Sequence, residues 1–162
     1  MKFVSAELLT AYHEAGHALA SELYGQVLTR VEIVGDAEHS GTTESLRFPV
    51  DPDEGGTSSA SVEAIENRLR CVLAGTVAEM MVSEREGWAE SSEDLEAAVR
   101  LAMKLVDDCE DVLPLLEDVR ADLEQLLRER WSAVDALADE LVKRKSLSGA
   151  EVRQILETNI TI

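Results

Sequence analysis

Residues 11–20, AYHEAGHALA, contain two of the chain's three histidines, four positions apart, with a glutamate directly after the first. On an α-helix, at about 100° per residue, His13 and His17 would lie only about 40° apart around the axis and one turn along. Their imidazoles could converge on one metal ion, while Glu14, rotated off that face, could reach a metal-bound water as a general base. The spacing predicts a hydrolytic zinc site, against the alternative of two surface histidines that happen to lie one turn apart.

A helix must hold these residues, and the surrounding sequence predicts one. Ser5 is suited to the N-cap and Gly25 to the end of the helix. Apolar residues recur between them at steps of three and four, which predicts an amphipathic, half-buried helix. These positions are Phe3, Val4, Leu8, Leu9, Tyr12, Ala15, Leu19, Ala20 and Leu23.

The composition is that of a globular protein rich in helix-forming residues, with 45% hydrophobic, 30% charged and 4% aromatic residues and three prolines. We therefore expect a single, mainly helical domain over residues 1–162. The formal net charge of −18 would repel nucleic acids and anionic membrane surfaces, which argues against a phosphate-contacting role. A solvated acidic surface explains this charge better than the selection of basic substrates.

The cysteines and the apolar runs bear on the cellular compartment. Cys71 and Cys109 are far apart, without a C-x-x-C motif, and the first residues lack the apolar region of a secretory signal. We expect two reduced, buried thiols in a cytoplasmic protein. No apolar run is long enough for a transmembrane helix, and no P-loop for ATP binding occurs, so we expect no membrane segment.

The hydrophobic period changes after Gly25. Dense β-branched residues from Val27 to Val34 predict a strand, and residues 42–48 would return as a second strand ended by Pro49. The polar, glycine-rich residues 51–59 predict an exposed loop. With the helices, these strands predict an α+β fold that is mainly α with a small β-sheet of two or three strands.

The rest of the chain predicts helices. Residues 59–86 have helical spacing, and the small residues 74–76 within them favour close helix packing over a functional turn. Ser91 and Ser92 would cap a helix whose first turn carries Asp94.

A long apolar stripe follows, from Leu115 to Val142, and it ends in the cations 143–145, which suit a helix C-terminus. Core packing is its default interpretation, and a contact between subunits is the alternative. Ser148 and Glu151 predict a capping box that opens a last short helix.

A catalytic zinc site needs a third protein ligand beside the two histidines. His39 would lie in a turn and face solvent, whereas Glu79 and Asp94 each belong to a later predicted helix of the kind that supplies such a ligand. The spacing does not choose between these two carboxylates. Asp94 also has an alternative role as a first-turn acid that stabilises the start of a helix.

Four segments resemble, in the same order, the peptidase domain of the FtsH family of membrane-bound, ATP-dependent zinc proteases (peptidase family M41). They are AYHEAGHALA, RLRCVLAGTVAEMM, SSEDLEAAVRLAMKLV and LSGAEVRQIL. The resemblance implies an HExxH, zincin-like helical peptidase domain in which His13, His17 and Asp94 bind Zn²⁺ and Glu14 is the base. It also implies that Glu79 orients the site without binding the metal.

The resemblance extends loosely to the family's glycine-containing substrate-binding strand, which assigns Gly41, Thr42 and Thr43 to substrate binding. Ala74 replaces a family glycine and Glu93 replaces an asparagine. The family's transmembrane segments and AAA+ ATPase domain are absent, so we expect a stand-alone domain. It would cleave peptides or unfolded proteins without ATP, or work as a homo-oligomer or with a separate ATPase partner.

The sequence therefore predicts a zinc metalloendopeptidase that hydrolyses peptide bonds with metal-activated water and Glu14 as the general base. The alternative is a catalytically weak or inactive protein-interaction module on the same scaffold. The high acidity, the altered strand and the missing ATPase are the reasons for considering that alternative, under which zinc would bind without turnover.

Overall fold

The computed structural model describes residues 4–33, 41–45, 59–88 and 92–160, with 41–45 and 59–61 described by their backbone alone. These residues form six α-helices, three β-strands and one short 3-10 helix. In chain order they are α1 (Ala6–Leu23), β1 (Leu28–Ile33), β2 (Gly41–Ser45), α2 (Ser59–Ser83), α3 (Glu93–Met103), the 3-10 helix (Cys109–Asp111), α4 (Val112–Glu129), α5 (Trp131–Arg144), β3 (Ser146–Ser148) and α6 (Gly149–Asn159). The predicted α+β class, mainly α with a small sheet, is confirmed.

The first helix, α1, begins and ends where the sequence predicts. The Ser5 side chain accepts a hydrogen bond from the Leu8 N–H at 3.2 Å, and Gly25, just past the helix, has a φ of 75°. α1 packs against α2 on one side and α5 on another, and it also contacts β1 and β2. Small buried residues line it, which lets its neighbours approach closely: Ala11, Ala15, Gly16 and Ala18.

The sheet is antiparallel, with β1 between β2 and β3. The predicted pair of strands is present, although Val34 and residues 46–48 lie outside the described residues, as does most of the predicted loop at 51–59. β3 is an additional strand that directly precedes the last helix. Val31, at the centre of β1, lies opposite Thr43 of β2 and Leu147 of β3.

The imperfect alternation of β1 has a structural cause. The register between β1 and β2 shifts between Leu28 and Arg30, as at a β-bulge. Leu28, Val31 and Ile33 are buried as a result, whereas Val27 is half exposed.

The helices α2 and α3 hold the later segments of the predicted site. α2 ends at Ser83, three residues earlier than predicted, and Glu84 follows it with a φ of 55°. Gly75 lies inside this unbroken helix, so the small residues 74–76 form no turn. The Ser92 side chain caps α3 by accepting a hydrogen bond from the Leu95 N–H at 3.0 Å.

Two helices, rather than one, carry the long apolar stripe. α4 is followed by Arg130, whose φ of −119° and ψ of 22° break the helical path, and α5 starts at the next residue. The break lets α4 pack on α2 and α3 while α5 packs on α1 and α6. Leu123 and Leu137 are buried by these contacts, which accounts for the stripe as core packing. The capping box of Ser148 and Glu151 opens α6 as predicted.

The two cysteines differ. Cys71 is buried in α2, as predicted, but Cys109 is exposed, which corrects the prediction of two buried thiols. Cys109 begins the 3-10 helix between α3 and α4, none of whose residues is buried. Among the helices that the structure describes, none combines the length and the apolar character needed to cross a membrane.

Candidate metal centre

Three side chains from two helices meet between α1, α2 and α3. The Nε2 atoms of His13 and His17 lie 3.0 Å apart. The Asp94 Oδ2 atom lies 2.9 Å from the first of them and 3.1 Å from the second. Over the described ranges, these residues form the one group of three or more His, Cys, Asp or Glu side chains whose potential ligand atoms all lie within 4.8 Å of one another. The side chains are largely covered, with exposed fractions between 14% and 31%.

The outer nitrogen of each imidazole is held by α2. The Nδ1 of His17 lies 2.8 Å from the backbone oxygen of Cys71, and because a carbonyl only accepts, Nδ1 carries the hydrogen. The Nδ1 of His13 lies 3.0 Å from the Glu79 Oε2 atom, and a carboxylate is likewise an acceptor. These bonds leave the lone pair on Nε2 in each neutral imidazole, which is the common arrangement of metal-binding histidines.

This donor set fits a zinc ion. Two Nε2 lone pairs and a carboxylate oxygen face one another at about 3 Å, an arrangement that repels unless a proton or a cation lies between them. Tetrahedral ligands at zinc distances of about 2.0–2.1 Å are separated by about 3.3 Å, close to the observed spacing. Two imidazoles and one carboxylate are also a common protein contribution to catalytic zinc sites, which keep one position open for water.

The charges at the site are strongly coupled. Burial would lower the pKa of His13, but the hydrogen bonds with Asp94 and Glu79, together with the charge of Glu14, outweigh it and raise the pKa to about 10. Burial would raise the pKa of Asp94, but the hydrogen bonds with His13 and His17 hold it well below its usual value. The hydrogen bond with His13 is also the main cause of the lowered pKa of Glu79. The site therefore stabilises positive charge.

The two carboxylates that the spacing left open both contact His13, on opposite sides of its ring. Asp94 approaches Nε2 from the first turn of α3, where Ser92 caps the helix, and Glu79 approaches Nδ1 from α2. The Glu79 carboxylate also lies 3.8 Å from an Arg85 guanidinium nitrogen, measured from Oε1. Of the two carboxylates, only that of Asp94 lies beside the Nε2 atoms of both His13 and His17. The position of Asp94 near the N-terminus of α3 also suits the helix dipole.

The other predicted site residues lie on α1, in β2 or outside the described residues. Glu14 follows His13 on α1 and is only 5% exposed. Gly41, Thr42 and Thr43 lie in β2, which pairs with β1 and contacts α1. His39 lies outside the described residues.

Several contributors to the site were not identified from the sequence. The Cys71 carbonyl has no signature, because every residue carries one. The Arg85 contact with Glu79 follows from the turn after α2 and not from a spacing rule. Gly75 was visible as a small residue in a helical pattern, but its partner, the His17 imidazole, could not be known before α1 and α2 were placed together.

The chain is similar to several curated proteins. It is 28% identical to the "ATP-dependent zinc metalloprotease FtsH" of Opitutus terrae over 94% of this chain and 29% of that protein. It is 26% identical to the protein of the same name from Synechococcus sp., over 93% of this chain and 30% of the relative. A rice relative, "ATP-dependent zinc metalloprotease FTSH 9, chloroplastic/mitochondrial", is 25% identical over 95% of this chain and 22% of its own length. The chain thus spans less than a third of each of these relatives.

The family comparison agrees with this similarity. The model of peptidase family M41 matches residues 4–109, which include both histidines, Glu79 and Asp94. The matched segment runs from the start of α1 to the 3-10 helix, so it contains every element that contributes a side chain to the cluster. On this match over most of its length, the chain belongs to peptidase family M41.

Proposed function

We propose that this chain is a zinc metallopeptidase domain that hydrolyses peptide bonds, with His13, His17 and Asp94 as its zinc ligands. The observation that carries the proposal is the convergence of two Nε2 atoms and one carboxylate oxygen within 3.1 Å of one another. Membership of family M41 and the names of the curated relatives, which are zinc metalloproteases, support it.

Each residue of the site has a distinct part in this mechanism. Bound zinc would supply a Lewis acid that polarises the scissile carbonyl and lowers the pKa of a water molecule toward about 7. Glu14, which directly follows His13 on α1, accepts a proton from the attacking water and delivers it to the departing amine. Glu79 and the Cys71 carbonyl keep the two imidazoles turned so that Nε2 faces the reaction centre.

The sheet offers a way to hold an extended substrate. β1 is flanked by β2 and β3, so among the described strands the edge open to a peptide beside α1 is that of β2. A substrate that added as a strand along Gly41, Thr42 and Thr43 would be bound through its main chain, which favours a broad range of sequences. Its scissile bond would then pass close to α1.

We further propose that residues 1–162 act as one cytoplasmic domain whose hydrolysis does not consume ATP. Neither proton transfer by Glu14 nor carbonyl polarisation by a metal requires a nucleotide. Peptides and unfolded proteins are the substrates that reach such a site without mechanical unfolding. Folded proteins would require a separate ATPase partner, and a homo-oligomer would enclose several sites.

The test compares casein cleavage by zinc-loaded wild type, Glu14→Gln and the control Glu7→Gln. Glu7 lies on the same helix but is exposed, so the control makes the same chemical change away from the site. Loss of the general base should slow cleavage by about 10²–10⁴-fold while the zinc content stays unchanged. The control should cleave at the wild-type rate.

Two outcomes would count against the proposal. Equal rates for wild type and Glu14→Gln would remove Glu14 as the base. Stoichiometric zinc in a wild-type protein that cleaves neither casein nor short peptides would favour the interaction module on a metallopeptidase scaffold.

A further inference from the structure

Gly75 lies in the middle of α2, where the helix passes the His17 imidazole on α1. Both residues are largely covered, and the same helix also supplies the Cys71 carbonyl that holds the His17 Nδ1. Glycine weakens the interior of a helix relative to alanine, so helix formation alone gives no reason for a glycine here. The reason lies in what a side chain would meet.

A methyl group at this position has no room beside the imidazole. An ideal Cβ at Gly75 would lie 2.7 Å from both Cδ2 and Cε1 of His17, and closer still to Nε2. The two carbons that flank Nε2 are equally distant from this Cβ and nearly as close to it as Nε2 is, which places the Cβ over the face of the ring at that nitrogen and not in the ring plane. Nonbonded carbon atoms stay about 3.5–4.0 Å apart, so the ring would have to move by about 1 Å.

We propose that Gly75 is a positioning residue for the metal centre: its missing side chain is what allows the His17 Nε2 to face His13 and Asp94. The proposal rests on the proposed function, because it treats Nε2 of His17 as a zinc ligand.

The size of the displacement decides its effect. Metal–ligand distances tolerate deviations of only about 0.2 Å, far less than a shift of about 1 Å. The ring has little freedom to make such a shift harmlessly, since its Nδ1 donates to the Cys71 oxygen at 2.8 Å and the side chain is only 14% exposed. A side chain at position 75 would therefore separate Nε2 from its neighbours or break the bond to Cys71.

Gly75 differs in this respect from the packing glycine of the same helix pair. A Cβ at Gly16 would meet the Ala74 oxygen at 2.5 Å and the Ala78 Cβ at 2.8 Å, which are structural atoms of α2. All three atoms nearest to a Cβ at Gly75 belong to the His17 imidazole. The first glycine sets the distance between the helices, and the second sets the position of one ligand.

The test is the zinc affinity of Gly75→Ala, measured by competition with a chromogenic chelator and checked by the visible absorption of the cobalt-loaded protein. Gly87→Ala is the control, because a Cβ added there would meet no atom within 4 Å among the described residues other than its chain neighbours. We expect Gly75→Ala to bind zinc about 10–100-fold more weakly, as for other changes that misplace a ligand. The control should match wild type. Wild-type affinity in Gly75→Ala would overturn the proposal and leave the proposed function intact.

A second measurement, on metal-free protein, tests whether Gly75 makes room for the His17 imidazole. It applies even if Gly75→Ala folds poorly or wild type binds no zinc. Thermal unfolding midpoints are compared for Gly75→Ala in the wild-type and in the His17→Ala backgrounds. We expect alanine to lower the midpoint when the imidazole is present, and to leave or raise it when the imidazole is gone, because alanine then acts only as a better helix former. An equal decrease in both backgrounds would show that Gly75 contributes packing alone. Absence of zinc from wild type would defeat the proposed function independently of this cycle.

Discussion

The helix α1 meets α2 and α5 through contacts of different kinds. Against α2 it presents Gly16, which faces the Ala74 oxygen and the Ala78 side chain, and two imidazoles, which contact the Cys71 carbonyl and the Glu79 carboxylate. Against α5 it presents Tyr12, whose ring stacks on Trp131 with centroids 5.6 Å apart and planes 6° from parallel. The Tyr12 hydroxyl donates to Asp135 Oδ1 at 2.7 Å.

The two contacts have different roles: the contact with α2 positions the ligand atoms, and the contact with α5 stabilises the packing of α1. On the α2 side, small residues bring main chains together so that ligand atoms are fixed within a few tenths of an ångström. On the α5 side, large rings supply contact area and tolerate small shifts. Changes on the α2 side that remove or displace a group in contact with the imidazoles should therefore alter metal binding, and changes on the α5 side should alter stability alone.

The largest expected effect is on the ligands themselves. Asp94→Ala should lose stoichiometric zinc, because it removes the carboxylate that faces both Nε2 atoms. Glu79→Ala, which removes the support of His13 but no proposed ligand atom, should keep zinc but bind it about 10–100-fold more weakly. Elemental analysis after gel filtration distinguishes the two, and Glu93→Ala, one residue before Asp94, serves as the control. If Asp94→Ala kept zinc and Glu79→Ala lost it, Glu79 and not Asp94 would be the third zinc ligand.

Metal removal should lower the stability of the protein, because the proposed zinc ligands His13, His17 and Asp94 link α1 to α3. At free zinc of about one hundred times the dissociation constant, binding stabilises the fold by about 2.7 kcal/mol. A chelator should therefore lower the unfolding midpoint of wild type and leave that of His17→Ala nearly unchanged. Differential scanning calorimetry with and without chelator measures this. Equal shifts of the midpoint in both proteins would show that zinc binding does not depend on His17.

The packing glycine should affect stability before it affects the metal. Gly16→Ala forces a methyl against the Ala74 oxygen and the Ala78 side chain, and such overpacking costs about 1–3 kcal/mol. Urea denaturation of the metal-free protein, with Gly87→Ala alongside, gives the loss directly. A Gly16→Ala protein as stable as wild type would mean that α1 and α2 can separate without cost.

A smaller effect is expected where α1 meets α5. Tyr12→Phe keeps the stacked ring but loses the hydrogen bond to Asp135, which should reduce the free energy of unfolding by about 1 kcal/mol. In an Asp135→Ala background the same change should cost less, because the acceptor is already gone. Zinc affinity should not change in either protein, and a loss of affinity in Tyr12→Phe would break the proposed separation of the two sides.

The smallest effect concerns Cys71, which serves the site through its backbone. Burial raises the pKa of its thiol to about 12, so it should stay unmodified by thiol reagents in the folded protein while exposed Cys109 reacts. In Cys109→Ser protein, a colorimetric thiol assay should detect a thiol only after denaturation. Cys71→Ala should bind zinc like wild type, since the carbonyl remains.

Local patterns foretold what depends on nearest neighbours in the chain. Ser5, Ser92 and Ser148 each cap the helix that the sequence placed after them. The spacing of His13 and His17 placed both imidazoles on one face of α1, because four residues nearly complete a helical turn.

What the sequence could not supply depends on how distant segments meet. Spacing left Glu79 and Asp94 as equal candidates, since each lies on a later helix whose orientation was unknown. The break at Arg130 carries neither glycine nor proline, and it serves the packing of α4 and α5 on different partners. Cys109 was expected to be buried because cysteine usually is, but the short 3-10 helix turns it outward.

The position of β1 between β2 and β3 has a consequence for synthesis of the chain. One edge of β1 pairs with β2, and the other edge pairs with residues 146–148 of β3, through Arg30, Val31 and Glu32. At about 5–20 residues per second, a ribosome needs about 6 to 23 seconds to make the intervening polypeptide. During that interval one edge of β1 lacks its β3 partner, so we expect this edge to be open to pairing with other chains until residues 146–148 have been made.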